Sequence, residues 1–244
     1  MQASAETTPL MASASRGPLR TPVLFGLAAV TGIVDAVCYL ALGHVFTANM
    51  TGNIVLLGFA VAGVESLSVG RSVMALGAFL LGAVLGVRLA RSMNPVMHCW
   101  PAVAFGSEGA LLFIAATVAG SVVEGAATRS TAVYLVIVLT GLAMGMRNAT
   151  IRRLGEREVN TTVLTMTLIG IASESIFAGG SNQGVLRRVG FVMSVLAGAA
   201  AGALLLRYSA ALTLGMAGAA SSVCAIAAYL ELQSPSRIAE GPRP

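Results

Sequence analysis

Asp35, Thr47, Asn49, Thr51 and Asn53 are the residues of this 244-residue chain whose types and spacing could do chemistry. Asp35 is the single acid in an otherwise apolar run from Val23 to Val45, and the stretch FTANMTGNIVLLG, Phe46 to Gly58, follows it directly. An ionisable group in mid-membrane costs on the order of 3 kcal/mol unless it is paired or hydrated. Asp35 therefore points to a proton or cation acceptor whose charge couples to a solute. A structural hydrogen bond to the Thr and Asn cluster, or to Asn148, is the competing reading. The hydroxyl and amide groups are too dense for one helical face, which predicts a break. Thr47, Asn49, Thr51, Gly52 and Asn53 would then bind a solute or ion, or cap a re-entrant bend.

A second set stands later in the chain. Gly32, Asp35 and Ala36 correspond to Gly145, Asn148 and Ala149 at an offset of 113, and Thr47 and Thr51 to Thr161 and Thr165 at 114. Arg71, Gly82, Gly86 and Arg91 correspond to Arg187, Gly198, Gly202 and Arg207 at 116. Arg and Thr matches in the same order indicate an internal duplication. Asn148, Thr161, Thr162, Thr165 and Thr167 are therefore the second half-site. Glu108 and Glu174 also lie in apolar surroundings, each placed to reach an interface, and His44 closes a span as an interfacial residue.

The elements that must position these groups belong in a bilayer. With 56% hydrophobic residues, 10% charged residues and a mean hydropathy of +0.84, the chain is not an ordinary soluble domain. Residues 1–22 read as a polar tail, 23–123 as a first transmembrane repeat, 124–130 as a linker, 131–232 as a second repeat and 233–244 as a polar tail. The first repeat has long apolar runs at Val23 to Val45, Val73 to Ala90 and Pro101 to Val123, and a short one at Ile54 to Val64. The second has Thr131 to Met146, Val189 to Leu206 and Tyr208 to Leu230, with a short Val163 to Ala172. Runs of 10 or 11 residues suit re-entrant segments better than full spans. Counting them as non-crossing places Arg16, Arg20, Arg88, Arg91, Arg147, Arg152, Arg153, Arg157, Arg187, Arg188, Arg237 and Arg243 on one side, leaving Arg71, Arg129 and Arg207 opposite. Positive charge gathers on the cytoplasmic side, so this asymmetry favours six crossings over eight.

Other functions find little support. The net charge of +5 comes from Arg residues scattered over span ends, not gathered into a nucleic-acid-binding face. Three cysteines without metal-type spacing indicate neither a disulfide framework nor a metal site. No HExxH, GxSxG or P-loop pattern occurs, so no catalytic residue, metal or cofactor is assigned and an enzyme is not expected.

The segments GIVDAVCYLALGHVFTANMTGNIVLLG and GMRNATIRRLGEREVNTTVLTMT resemble the YoaK-like family of bacterial membrane proteins, a domain family of unknown function. The resemblance covers nearly all of Phe25 to Leu230. It implies a six-span membrane protein, described at most as a transporter, with no substrate or cofactor assigned. This chain departs from the family pattern at Arg147, where the second copy has Gln, and at Thr165–Met166, where it continues Thr-Gly.

The expected architecture is all-α: a polytopic helical membrane protein with six full spans, two short re-entrant or broken segments and two inverted repeats. The function expected of it is secondary transport, or a channel, for a small polar or ionic solute in the inner (plasma) membrane, with both termini cytoplasmic. A membrane scaffold or sensor that binds a partner protein or lipid is the alternative. The expected partners are the lipid bilayer and the solute, with homo-oligomerisation left open and no nucleic acid.

Overall fold

The computed structural model describes residues 19, 21–93, 99–121, 126–155, 164–175, 179 and 184–233, the side chains of 126–130 excepted. Among these residues there is no strand. Eight helices follow one another: α1 (Thr21–Ala41), α2 (Met50–Val61), α3 (Val69–Ser92), α4 (Trp100–Ser121), α5 (Ala126–Arg153), α6 (Leu164–Ser173), α7 (Val185–Leu205) and α8 (Ala210–Leu232). Six are long and apolar enough to cross a membrane, whereas α2 and α6 are not. At 1.5 Å per residue, the 21 residues of α1 extend about 32 Å and the 12 of α2 only about 18 Å, against a hydrocarbon core of about 30 Å. The protein is a polytopic helical membrane protein.

Several helix ends differ from the sequence expectation: α2, α3 and α7 begin four residues early, and α5 begins at Ala126, inside the expected linker 124–130. Two further ends bear on the site. The first span, expected to reach Val45, stops at Ala41, because Gly43 and His44 both take positive φ, +93° and +61°, and turn the chain back. The fourth long segment, expected to end at Met146 just ahead of a charge, runs on to Arg153. Arg147 therefore lies inside the helix and is 1% exposed, so it does not belong among the cytoplasmic flank charges. Its charge is matched within the bundle, which lets the helix continue past it.

α1 and α5 are the most enclosed of the long helices, while α3 and α7 turn most of their surface outward. Exposed Leu80, Leu81 and Val84 on α3, and Leu196 and Leu204 on α7, form apolar surface that lipid solvates. Each central helix packs against the outer helix of the other half: α1 on α7, and α5 on α3. Small residues bring the backbones together. A Cβ on Gly82 would strike the Leu142 carbonyl, and one on Gly86 would meet that of Met146; on Gly198 and Gly202 it would strike Ala29 and Ile33. The two crossings superimpose at the sequence offsets of 116 and 113, residue for residue. Close approach through small residues is how helices associate where lipid removes the hydrophobic drive between them.

The remaining contacts fix helix direction. α4 meets α8 antiparallel, with Gly109 against Gly218 and Ser222, and Gly120 against Ala211. α1 and α5 also run antiparallel, since Cys38 reaches Thr140 while Leu27 and Thr31, two to three turns earlier, reach Arg147. The buried core follows these helices: Val30, Val34 and Val37 of α1 cluster with Leu112 of α4, Ile137 and Met144 of α5 and Leu214 of α8.

Candidate functional site

In the first half, Asp35 is partly buried near the C-terminal end of α1 and faces the loop that follows it. Its Oδ1 accepts from the backbone N–H of Thr47 (3.0 Å) and of Ala48 (2.9 Å), and its Oδ2 accepts from that of Asn49 (3.2 Å). Three successive amides around an anion form a nest, here filled by a side chain of the protein itself. Tyr39 stacks on Phe46 with ring centroids 5.0 Å apart, pressing the same loop onto α1. The carboxylate thus takes its partners from the backbone, in line with the structural alternative drawn from the sequence.

The Thr and Asn cluster divides into an inward and an outward set. Thr47 is fully buried, with its hydroxyl 3.4 Å from the Cys38 thiol, which is in turn 3.6 Å from the Thr140 hydroxyl. Asn53 is also fully buried: its Oδ1 accepts from Phe46 N–H, and its Nδ2 donates to the Ser72 carbonyl of α3 at 3.2 Å. Asn49 and Thr51 are exposed, Asn49 serving as N-cap of α2 by accepting from Gly52 N–H. Gly52 leaves room for the Phe46 ring, which a Cβ would approach to 3.2 Å. The expected helix break is present, and at the start of α2 the Gly52 amide is capped by the Asn49 side chain while that of Asn53 donates to the Asn49 carbonyl.

In the second half, Asn148 is buried and donates from Nδ2 to the Met144 carbonyl of its own helix at 2.9 Å. Thr165 is exposed on the first turn of α6, and Thr167 is buried. Thr161 and Thr162 lie outside the described residues. α6 is tied to α7 by Arg188, which donates to the Gly170 carbonyl (3.1 Å) and pairs with Glu174 (2.6 Å). The hydrogen bond from Arg188 holds the exposed Glu174 carboxyl below its ordinary range.

The sequence reading did not bring together Arg147 and Glu108. Arg147 Nη1 lies 3.0 Å from Glu108 Oε1 on α4 and also donates to the Leu27 carbonyl at 2.9 Å. Its Nη2 donates to the Thr31 hydroxyl and to the Met144 sulfur. Arg147 and Glu108 are buried, at 1% and 0% exposure. In the sequence Glu108 stands inside one apolar run, but Arg147 stands just past the end of another and reads as a flank charge.

Residues 23–228, most of the chain and all six long helices save a few terminal residues, match the family described as protein of unknown function, DUF1275. The chain belongs to this family. It is also 34% identical, over 158 residues, to the UPF0700 transmembrane protein YoaK of Bacillus subtilis (strain 168), covering 64% of this chain and 67% of that protein. No solved structure matches. The DUF1275 family carries no assigned activity in its description, so a functional reading rests on the arrangement of helices and polar groups.

Proposed function

We propose that this DUF1275 protein is a secondary transporter or channel for a small polar or ionic solute, built from two inverted three-span repeats in the inner membrane. The observation that carries this reading is helix direction. Antiparallel α1 and α5 require an even number of crossings between them, so that α3 and α4 cross and α2 does not. Antiparallel α4 and α8 require the same of α5, α6 and α7, so that α6 does not cross. Three crossings per repeat invert the second copy, and α2 and α6 then enter the bundle from opposite faces. Paired short segments in inverted repeats suit alternating access to a site at the repeat interface. Non-helical backbone at that depth is tolerated where it is packed in protein or lines a cavity. With both tails cytoplasmic, the solute path passes the α2 start, where Asn49 and Thr51 present groups not buried in the core, and the corresponding α6 start with Thr165.

Two measurements test the reading. Cysteines introduced singly at Ser68 and Ser175, in a background lacking Cys38, Cys99 and Cys224, should react with an impermeant maleimide from opposite sides. Reaction of both from the cytoplasm would make α2 and α6 full spans and end the inverted-repeat reading. Proteoliposomes challenged with urea, glycerol or sodium formate should show a flux reduced severalfold by Thr51→Ala. Absence of flux with every solute would favour a membrane scaffold or sensor.

A further inference from the structure

The fold does not need the Arg147–Glu108 pair. At the offset of 113 Arg147 corresponds to Val34; with α4 and α8 aligned on their Gly109–Gly218 crossing, Glu108 corresponds to Ala217. Val34 and Ala217 are both fully buried in the main apolar cluster. The other half thus fills the matching positions without charge. An apolar replacement for a buried ion pair is often neutral or stabilising, so an ion pair kept in one half calls for a reason other than stability.

Its surroundings supply one. Glu108 meets Arg147 through Oε1 alone, and its Oε2 is buried with no hydrogen-bond partner. The guanidinium, the Thr31 hydroxyl and Asn148 form the polar end of a cleft between α1 and α5, walled by Leu24, Leu27 and Ile151. As closed in this conformation the cleft has room for about one water. Exposed Arg152 and Arg153 stand about one turn further along α5 and give the cleft a cationic approach.

We propose that this cleft binds a small monovalent anion, chloride or the somewhat larger formate, together with a proton. The anion takes the place of Glu108 on Arg147, and a proton from the aqueous phase closes the free Oε2 of Glu108. The charges balance: a guanidinium–carboxylate pair plus one anion and one proton becomes a guanidinium–anion pair beside a neutral acid. The only bond formed is Oε2–H. Of the other groups facing Glu108 from the packed helices, Ser221 on α8 donates to the Phe105 carbonyl at 3.1 Å and also stands beside the Glu108 carboxyl, and Cys224 lies on the same helix. Asp35, on α1, is occupied by the loop amides. Binding at the cleft stands by itself; carriage of the anion across the membrane rests on the transport reading above.

The test is calorimetric titration of the full chain in detergent with sodium formate and sodium chloride at constant ionic strength. Sodium gluconate serves as the size control, and buffers of different ionisation enthalpy report proton uptake. Formate or chloride should bind where gluconate does not, with one proton taken up per anion and affinity falling up to about tenfold per pH unit. Glu108→Gln should bind without pH dependence, and Arg147→Gln should not bind. The double variant Glu108→Ala/Arg147→Val copies the other half, so it should stay monodisperse and bind no anion. Wild-type affinity in Arg147→Gln or in the double variant, or binding with no proton uptake, would overturn the proposal. Binding with these signatures but without flux in proteoliposomes would refute the transport reading and leave the site standing. Formate flux by a protein that shows no calorimetric binding of formate or chloride would refute the site and leave transport standing.

Discussion

The two halves of the molecule share one framework and spend their polar groups differently. In both, a central helix crosses the outer helix of the opposite half through the same pattern of small residues: Gly82 and Gly86 of α3 against α5, Gly198 and Gly202 of α7 against α1. In both, a short helix follows the central one and leans on its neighbour, α2 on α3 and α6 on α7. The charge, however, sits in different places. The first half puts an acid, Asp35, onto the amides of its own loop. The second half has an amide, Asn148, at the matching position and places its charge one residue earlier, at Arg147, against Glu108 in the helical core. Both crossings hold glycines because any Cβ there would collide with a facing backbone, whereas the polar residues around them differ. One half has fixed its loop, and the other has built a charged contact between helices.

The largest effect that would test this contrast is at Asp35. Asp35→Ala strips an anionic acceptor from three amides, of which those of Thr47 and Ala48 belong to fully buried residues. Hydrogen bonds to charged groups and orphaned buried donors together imply a loss of about 3–4 kcal/mol, read by denaturant or thermal unfolding in detergent. At Asn148, loss of the bond from its amide to the Met144 carbonyl of its own helix accounts for about 1 kcal/mol in Asn148→Ala. Equal losses at the two positions would mean that the halves anchor their loops alike. Asp35→Asn keeps one acceptor oxygen and should fall between the two.

Much of this arrangement could be read from the sequence, for physical reasons. Long apolar runs reveal spans because each must satisfy lipid along its whole length, and all six appear where composition puts them. The repeat offsets are legible because Gly82, Gly86, Gly198 and Gly202 are held by backbone contact, which tolerates no side chain. Asp35 is identifiable as a buried acid, but its partners are backbone amides, which no residue type advertises. Arg147 was misplaced because a charge beside an apolar run looks like a membrane boundary. Only its pairing with Glu108, 39 positions earlier, makes it an interior residue. The correspondence of Glu108 with Ala217 was hidden for the same reason, since it is defined by the Gly109–Gly218 crossing rather than by a shared motif.

A smaller effect probes what the halves have in common. Gly82→Ala and Gly198→Ala each place a methyl group on a facing backbone carbonyl, of Leu142 and Ala29 respectively, and neither carbonyl can swing aside like a side chain. Overpacking of this kind should cost about 1–3 kcal/mol at each position, and by similar amounts if the crossings are equivalent. Gly77→Ala is the control, because nothing lies within 4 Å of a Cβ there. A large loss at Gly82 with none at Gly198 would show that one crossing carries the bundle and the other only resembles it.

The smallest expected effect concerns how each short helix is held. α2 is held to α3 by a neutral, buried bond from Asn53 to the Ser72 carbonyl, whereas α6 is held to α7 by Arg188 and the exposed Glu174. The hydrogen bond from Arg188 depresses the Glu174 carboxyl below its ordinary value of 4.5. The pair's contribution is therefore fully present above about pH 4.5 and is lost as the pH falls through the depressed value. Hydrogen exchange should show α6 amides opening more readily below that range, while α2 amides in the same sample do not change in protection. Glu174→Gln should bring the acid behaviour of α6 to neutral pH with little change in global stability, as expected of a pair whose carboxylate is 44% exposed. If α2 loosened in acid as much as α6, the pH response would belong to the bundle as a whole, and the two short helices would not differ in how they are fastened.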